Sequence, residues 1–470
     1  MDHDEICALS LTAMTDLIRR RELSSREAVE AHLARVDEVD GVINAVCTLD
    51  PERARTEAAR ADETTAAGGP LPPLHGVPMT HKDSHDVAGM RSTLGSPLFA
   101  DRVPERDAPV VAALRAAGVV TTGKTNVPEL AAGSHTFNPV FGTTTNPYDP
   151  TRSAGGSSGG VAAAIAAGIQ PAGDASDMGG SIRTPASFTN LVGLRPSAGR
   201  VPLGSSDPWA WISRKGPMAR TVEDVRLLLG VMSAGSPASA LVPTPARPVP
   251  AGIAAGDLRG LRVAWSPDLG LGLPVEKAVL AVAEQAPGRL AGLGAEVVTA
   301  EPDLRDADEV FATTRAHDFY VGYADLYRDH RDRLKPALRW NLGLGAALTA
   351  DDHRSAVLAR ARLRRATDAF FAEHDVLVAP AVQVQPFDAR LEHPQEIEGE
   401  TMHTYLEWMR MATVISATGL PAVSVPVGFD VDGLPVGVQV VGPDGSDELL
   451  LAIAAAYQLV DPQHQHRPRL

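Results

Sequence analysis

Short runs of β-branched residues alternate with helical stretches along most of this 470-residue chain, which predicts an α/β architecture with a layered sheet. LRVAWS, a helix over 274–293 and AEVVTA make a β-α-β unit, and VLVAPA (376–381) reads as a strand. PAVSVPVGF and PVGVQVVG form a hairpin about Asp432-Gly433, and DELLLAIAAAYQLV supplies the closing helix. Earlier, a strand ends at Lys82-Asp83, and a helix over 108–117 leads through Gly118 into the strand VVTTG. Residues 8–66 read as helices, with Leu11, Met14 and Ile18 at helical spacing and Ser24/Glu27 as a capping box. GPMARTVEDV reads as a turn followed by a helix, and 304–373 as mostly helical. Residues 235–252, rich in Pro and Ala, read as a linker or surface excursion.

Composition excludes more than it identifies. Apolar residues at 44% and charged ones at 21% are those of a soluble globular protein. The net charge of −15 argues against nonspecific nucleic-acid or anionic-membrane partners. Cys7 and Cys47 form no metal or redox motif. MDHDEICALS lacks a signal-peptide core, and the apolar run Val161 to Ile169 is too short for a bilayer, so a cytoplasmic protein is expected.

Chemistry concentrates between Ser153 and Pro196, where GGSSGG (Gly155 to Gly160) and DMGGS (Asp177 to Ser181) each frame serines with glycine. Glycine permits main-chain conformations closed to other residues and lets a substrate approach the backbone. The amides of Met178, Gly179, Gly180 and Ser181 could then converge as an oxyanion hole. Lys82 ends an apolar strand between turn signals, and burial would lower its pKa enough for it to act as a base. No histidine adjoins either serine cluster. A relay of lysine as base, one serine as shuttle and one as nucleophile is therefore a reasonable chemistry. Against it stands the plainer reading of two glycine-rich loops capping helices.

Other matches are weaker. Gly118 to Thr125 fits the P-loop pattern, but a helix precedes it and a strand fills the loop position. Gly155 to Gly159 fits the nucleophile elbow, but NPYDPTRSA, with two prolines, is a poor strand to precede one. His75, His81 and His85, with Asp83 and Asp86, match no zinc spacing and read as hydrogen-bonding groups; no metal is called for.

Taken together, PLHGVPMTHKD (73–83), GKTNVPELA (123–131), FGTTTNPYDPTRSAGGSSGG (141–160), SDMGGSIRTPASFTNLVGLRPSAGRVP (176–202) and GPMARTVEDV (216–225), with TGLPAVSVPVGF and GLPVGVQVVG near the C-terminus, resemble the amidase signature family, nearest to bacterial amidases. The resemblance implies an α/β/α fold with a mixed central sheet over one domain, 1–470. Its parts would be a helical outer layer (1–66), a signature core (70–235), a variable substrate-shaping region (236–375) and a C-terminal part of the core (376–470). It implies a Ser–cisSer–Lys triad with Ser181 as nucleophile, Ser157 after a cis peptide bond, and Lys82 as base, with Met178 to Ser181 as oxyanion hole. Ser158, Asp177 and Arg183 would support the site. No cofactor is implied, and the partner is a small-molecule amide, ester or carbamate, with a homodimer admitted. His81 and Ser416 depart from the family pattern, and His81 adds an ionisable neighbour to the lysine.

Specificity would come from outside the signature. Phe137, Phe141, Trp209 and Trp211 of the DPWAWIS loop, Phe319, Tyr320 and Tyr323 are the candidate pocket residues, balanced against ordinary helix packing. The expected activity is hydrolysis of carbon–nitrogen bonds other than peptide bonds, on apolar or aryl amides and also esters or carbamates. Its rivals are the glutamine-hydrolysing subunit of a tRNA-dependent amidotransferase, an inactive scaffold and a nucleotide-binding protein.

Overall fold

In the computed structural model of the protein, residues 1–204, 207–234, 241, 243–254 and 256–470 are described. An eight-stranded mixed sheet forms its centre, in the order Glu296–Thr299, Arg262–Trp265, Val376–Pro380, Pro435–Val441, Ala422–Phe429, Val192–Arg195, Arg214–Ala219, Ala172–Asp177. The first three strands run parallel and all later neighbours antiparallel. The alternation of side chains along Pro435–Val441 puts helices on both faces. Gly437 and Gln439 meet Ser187 and Arg183 of the helix Arg183–Phe188. Val438 and Val440 point the other way, toward Ile453 and Tyr457 of the helix Asp447–Val460. This is the expected layered α/β/α arrangement.

The hairpin and the closing helix lie where the sequence places them, and the β-α-β unit is formed, although the single helix expected over 274–293 is two, Lys277–Ala283 and Gln285–Gly292. The capping box at Ser24 and Glu27 is formed and starts the helix Ser25–Ile43. Residues 307–373 form three helices, Ala307–His330, Pro336–Ala347 and Ala350–Glu373. Among the described residues no helix is long and apolar enough to cross a membrane.

Three local readings are corrected. The 1–66 layer is not wholly helical: Val46–Leu49 is a strand in a second, three-stranded sheet with Val120–Thr125 and Pro78–Lys82. Its β-prone VCTL follows Asn44, whose left-handed conformation ends the preceding helix. GPMA is strand rather than turn, because Arg214–Ala219 is paired on both sides and tertiary pairing overrides the Gly-Pro signal. Asp149–Ser153 is also a strand despite Pro150: it pairs with Thr145–Asn146 through Ser153 and Asp149 and bridges Asp388 through Arg152, so no pairing falls on Pro150 itself. Of the proposed linker, 235–240 and 242 lie outside the described residues, and Ala251–Ala254 is a short helix.

Candidate active site

Lys82 is the last residue of Pro78–Lys82, a strand buried at every position. That strand lies beside Ala172–Asp177, anchored by a hydrogen bond from the Thr80 amide to Gln170 Oε1 (2.8 Å). The Lys82 ammonium therefore ends inside the protein, 0% exposed, and meets three hydroxyls: Ser157 at 2.9 Å, Ser158 at 2.8 Å and Ser176 at 2.8 Å. Among the described residues no carboxylate pairs with it directly. Burial pushes its pKa down to about 7, against the partial opposition of Asp177 and Asp174.

Ser157 follows a cis peptide bond with Gly156, and Ser158 begins the buried helix Gly159–Ala166. The Ser158 amide donates to the Ser181 carbonyl (3.3 Å), which ties the two serine loops together. Gly180 sits at φ +105, where a Cβ would come 2.5 Å from that of Ala412, so glycine is required there. Asp177 holds the second loop. It accepts from the amides of Gly180 (2.9 Å) and Ile182 (3.2 Å) and from the Arg183 guanidinium. Burial alone would raise the Asp177 carboxyl, but Arg183 and Arg195 hold it well below the usual carboxylate range. The Gly180 amide is thus spent on Asp177, which corrects the four-amide oxyanion hole expected from the sequence. Met178, Gly179 and Ser181 line the cavity instead.

That cavity, of about 340 Å³, also takes in Ser157 and Ser176. Of the seven candidate aromatics, it contains Phe319 and Tyr323. The other five are placed elsewhere. Trp209 is 66% exposed, and Tyr320 lies on the outward side of its helix at 36%. Trp211 packs under Arg360, Phe141 under Arg91, and Phe137 beside His135 and Lys335. The DPWAWIS loop instead contributes Asp207, Ala210 and Ser213 to the cavity wall.

The histidines are hydrogen-bonded within the fold. His75 Nε2 lies 2.9 Å from Thr65 Oγ1, while His81 and His85 both bring Nδ1 to Asp174, at 2.8 and 2.5 Å. Asp83 accepts from Thr93, and Asp86 pairs with Arg102. His81 therefore acts on Asp174, and the chief influence on Lys82 is burial. Ser416 accepts from Arg183 (2.7 Å), so its departure from the family pattern is absorbed behind Asp177.

Sequence reasoning passed over Ser176, Asp174, Lys215, Arg315 and Asp318. Ser176 and Asp174 stand two apart on one strand, a same-face spacing that could have flagged them beside the conspicuous DMGGS. Arg315 and Asp318, a turn apart on Ala307–His330, carry no such signal. Both line the cavity, and Arg315 reaches Met178 Sδ (3.3 Å). Burial and the nearby Asp207 raise Asp318 to about 7.

The amidase family model matches residues 27–451. The chain belongs to the amidase signature family. An acylamidase from Rhodococcus erythropolis is 36% identical over 467 residues, covering 98% of this chain and 97% of that protein. A glutamyl-tRNA(Gln) amidotransferase subunit from Synechococcus sp. (strain WH7803) is 35% identical over 481 residues, covering 95% and 96%. The crystal structure of a bacterial aryl acylamidase of the amidase signature family superposes with a TM-score of 0.88 at 28% identity, covering 97% of each chain. This member of the family is thus a hydrolase of amide-type carbon–nitrogen bonds.

Proposed function

We propose that the protein cleaves apolar or aryl amides through an acyl-enzyme on Ser181, with Ser157 and Lys82 as the proton relay. The observation that carries this reading is the Lys82 amine, wholly buried among three serine hydroxyls with its pKa at about 7. As a neutral amine it can donate to Ser158 and Ser176 while accepting from Ser157. Ser157 then takes the proton of Ser181 as that oxygen attacks the carbonyl. The amides of Met178, Gly179 and Ser181 stabilise the developing oxyanion, on a loop fixed by Asp177 and Arg183. The proton returns through Ser157 to the leaving amine, and water releases the acyl group by the reverse route. Phe319 and Tyr323 supply an apolar wall suited to an aryl group, and the acylamidase and aryl acylamidase relatives point the same way. Esters and carbamates present the same carbonyl to the same relay.

The similarity to a glutamyl-tRNA(Gln) amidotransferase component supports a second reading, glutamine hydrolysis within a complex. An aryl anilide, an aryl carbamate, an aliphatic amide, a p-nitrophenyl ester and glutamine, each tested with wild type and Ser181→Ala, separate the two. Turnover of aryl substrates that vanishes in the variant is expected. Turnover of glutamine alone would favour the second reading, and activity surviving in Ser181→Ala would remove the mechanism.

A further inference from the structure

Lys215 lies on Arg214–Ala219 directly across the ladder from Ser176, the residue that holds Lys82. It is 8% exposed and lines the same cavity as Ser157 and Ser181. Among the described residues its side-chain ammonium makes no hydrogen bond and no ion pair. A buried ammonium without a partner is costly, and folds keep such groups paired. The carboxylates that bear on Lys215 are Asp174 and Asp86, and both are committed elsewhere. Asp174 is engaged by His81 and His85, and Asp86 by both terminal nitrogens of Arg102. Of the other acids lining the cavity, Asp318 is under the influence of Asp207 and Arg315.

Ser84 lines the cavity with Lys215, and its buried Oγ has no hydrogen-bond partner. His85, also in the wall, is kept neutral by burial and by Lys215 beside it, so it adds no competing charge. Two donors without acceptors thus lie on the wall of a cavity that also holds the proposed nucleophile. We infer that Lys215 and Ser84 form a subsite for a carboxylate carried by the substrate, so that the favoured amides are anionic ones. Phe319 and Tyr323 would take the apolar part of the same molecule, while Lys215 and Ser84 take its charged end. This inference rests on the cavity being the substrate site proposed above.

The test compares matched substrates: N-(4-nitrophenyl)succinamic acid with its methyl ester, and 4-acetamidobenzoate with its methyl ester. These place the carboxylate on the acyl or the amine side. In wild type, one acid is expected to exceed its ester in kcat/KM by at least tenfold, chiefly through KM. That acid-to-ester ratio should collapse toward one in Lys215→Met and be largely restored in Lys215→Arg. Equal turnover of acid and ester in both pairs, or a preference surviving in Lys215→Met, overturns the inference while leaving amide hydrolysis standing. Calorimetric titration of Ser181→Ala with succinate and with 4-aminobenzoate needs no turnover. Binding at least tenfold tighter than to succinamide or 4-aminobenzamide, lost on adding Lys215→Met, supports the subsite even if no anilide is cleaved. Equal or tighter binding of the neutral carboxamides overturns it.

Discussion

Arg183 lays its guanidinium across both oxygens of Asp177, with Nε 3.1 Å from Oδ2 and Nη2 3.1 Å from Oδ1, and both side chains are fully buried. The carboxylate is shared with the Gly180 and Ile182 amides, so one ion pair sets the course of the loop carrying Ser181. Asp177→Asn would leave Arg183 and Arg195 buried without their anion. Breaking such a pair costs about 3–5 kcal/mol. Denaturant midpoints at pH 7 should show a loss of that order. The carboxyl is depressed in the folded state, so its contribution is complete above the unfolded carboxylate range of roughly pH 4 and disappears as pH falls toward the folded value. The gap between wild type and variant should therefore narrow only in acid. A loss below about 1 kcal/mol at pH 7 would contradict this role.

Lys82 gives a prediction in the opposite pH range. Only the neutral amine can take the proton of Ser157, and burial brings its pKa down to about 7. The kcat/KM for an anilide should rise with pH through about 7 and then level. Lys82→Arg keeps the charge but stays protonated throughout, so the loss should be on the order of 100-fold or more at every pH. Lys215, at about 8, titrates nearby, and a limb retained in Lys215→Met assigns the rise to Lys82. A flat profile between pH 6 and 9 would rule Lys82 out as the base.

What the sequence made legible was local. Gly155-Gly156 and Gly179-Gly180 announce backbone that must turn tightly beside a serine, and the buried pattern PMTHK announces a lysine that cannot reach water. The role of Ser176 depends on the edge of one sheet lying beside a strand of another, a juxtaposition that no local periodicity encodes. The same limit governs the aromatics. Phe319 and Tyr320 are neighbours with equal propensities, and only the packing of Ala307–His330 turns one inward and leaves the other 36% exposed. Gly216-Pro217 reads as a turn until strands on both sides claim its backbone.

The division among the aromatics can be measured. Phe319→Leu keeps an apolar wall but removes the ring beside Arg315, whose guanidinium lies 4.3 Å from its centroid. Lost ring contacts of about 0.5–1.5 kcal/mol should raise KM for an aryl anilide by roughly 2- to 10-fold. Trp209→Ala, at a ring 66% exposed and outside the cavity wall, should leave KM within about twofold, a change of less than 0.5 kcal/mol. If Trp209→Ala were the damaging change, the proposed pocket would be in the wrong place.

Gly180 offers the sharpest separation of chemistry from stability. At φ +105 an alanine is strained, and its methyl would press 2.5 Å from Ala412 Cβ and 2.9 Å from Thr184 Oγ1. Relieving that contact costs about 1–3 kcal/mol, less than the stability of most domains, so Gly180→Ala should still fold. The loop must shift, however, and it carries the Met178, Gly179 and Ser181 amides proposed to face the oxyanion. A displaced donor costs about 100- to 1000-fold in kcat. Thermal unfolding of Gly180→Ala should thus show a modest fall in Tm beside a kcat loss of that size, with KM far less affected. A kcat within a few-fold of wild type, alongside the expected fall in Tm, would mean that the oxyanion is held by groups outside this loop.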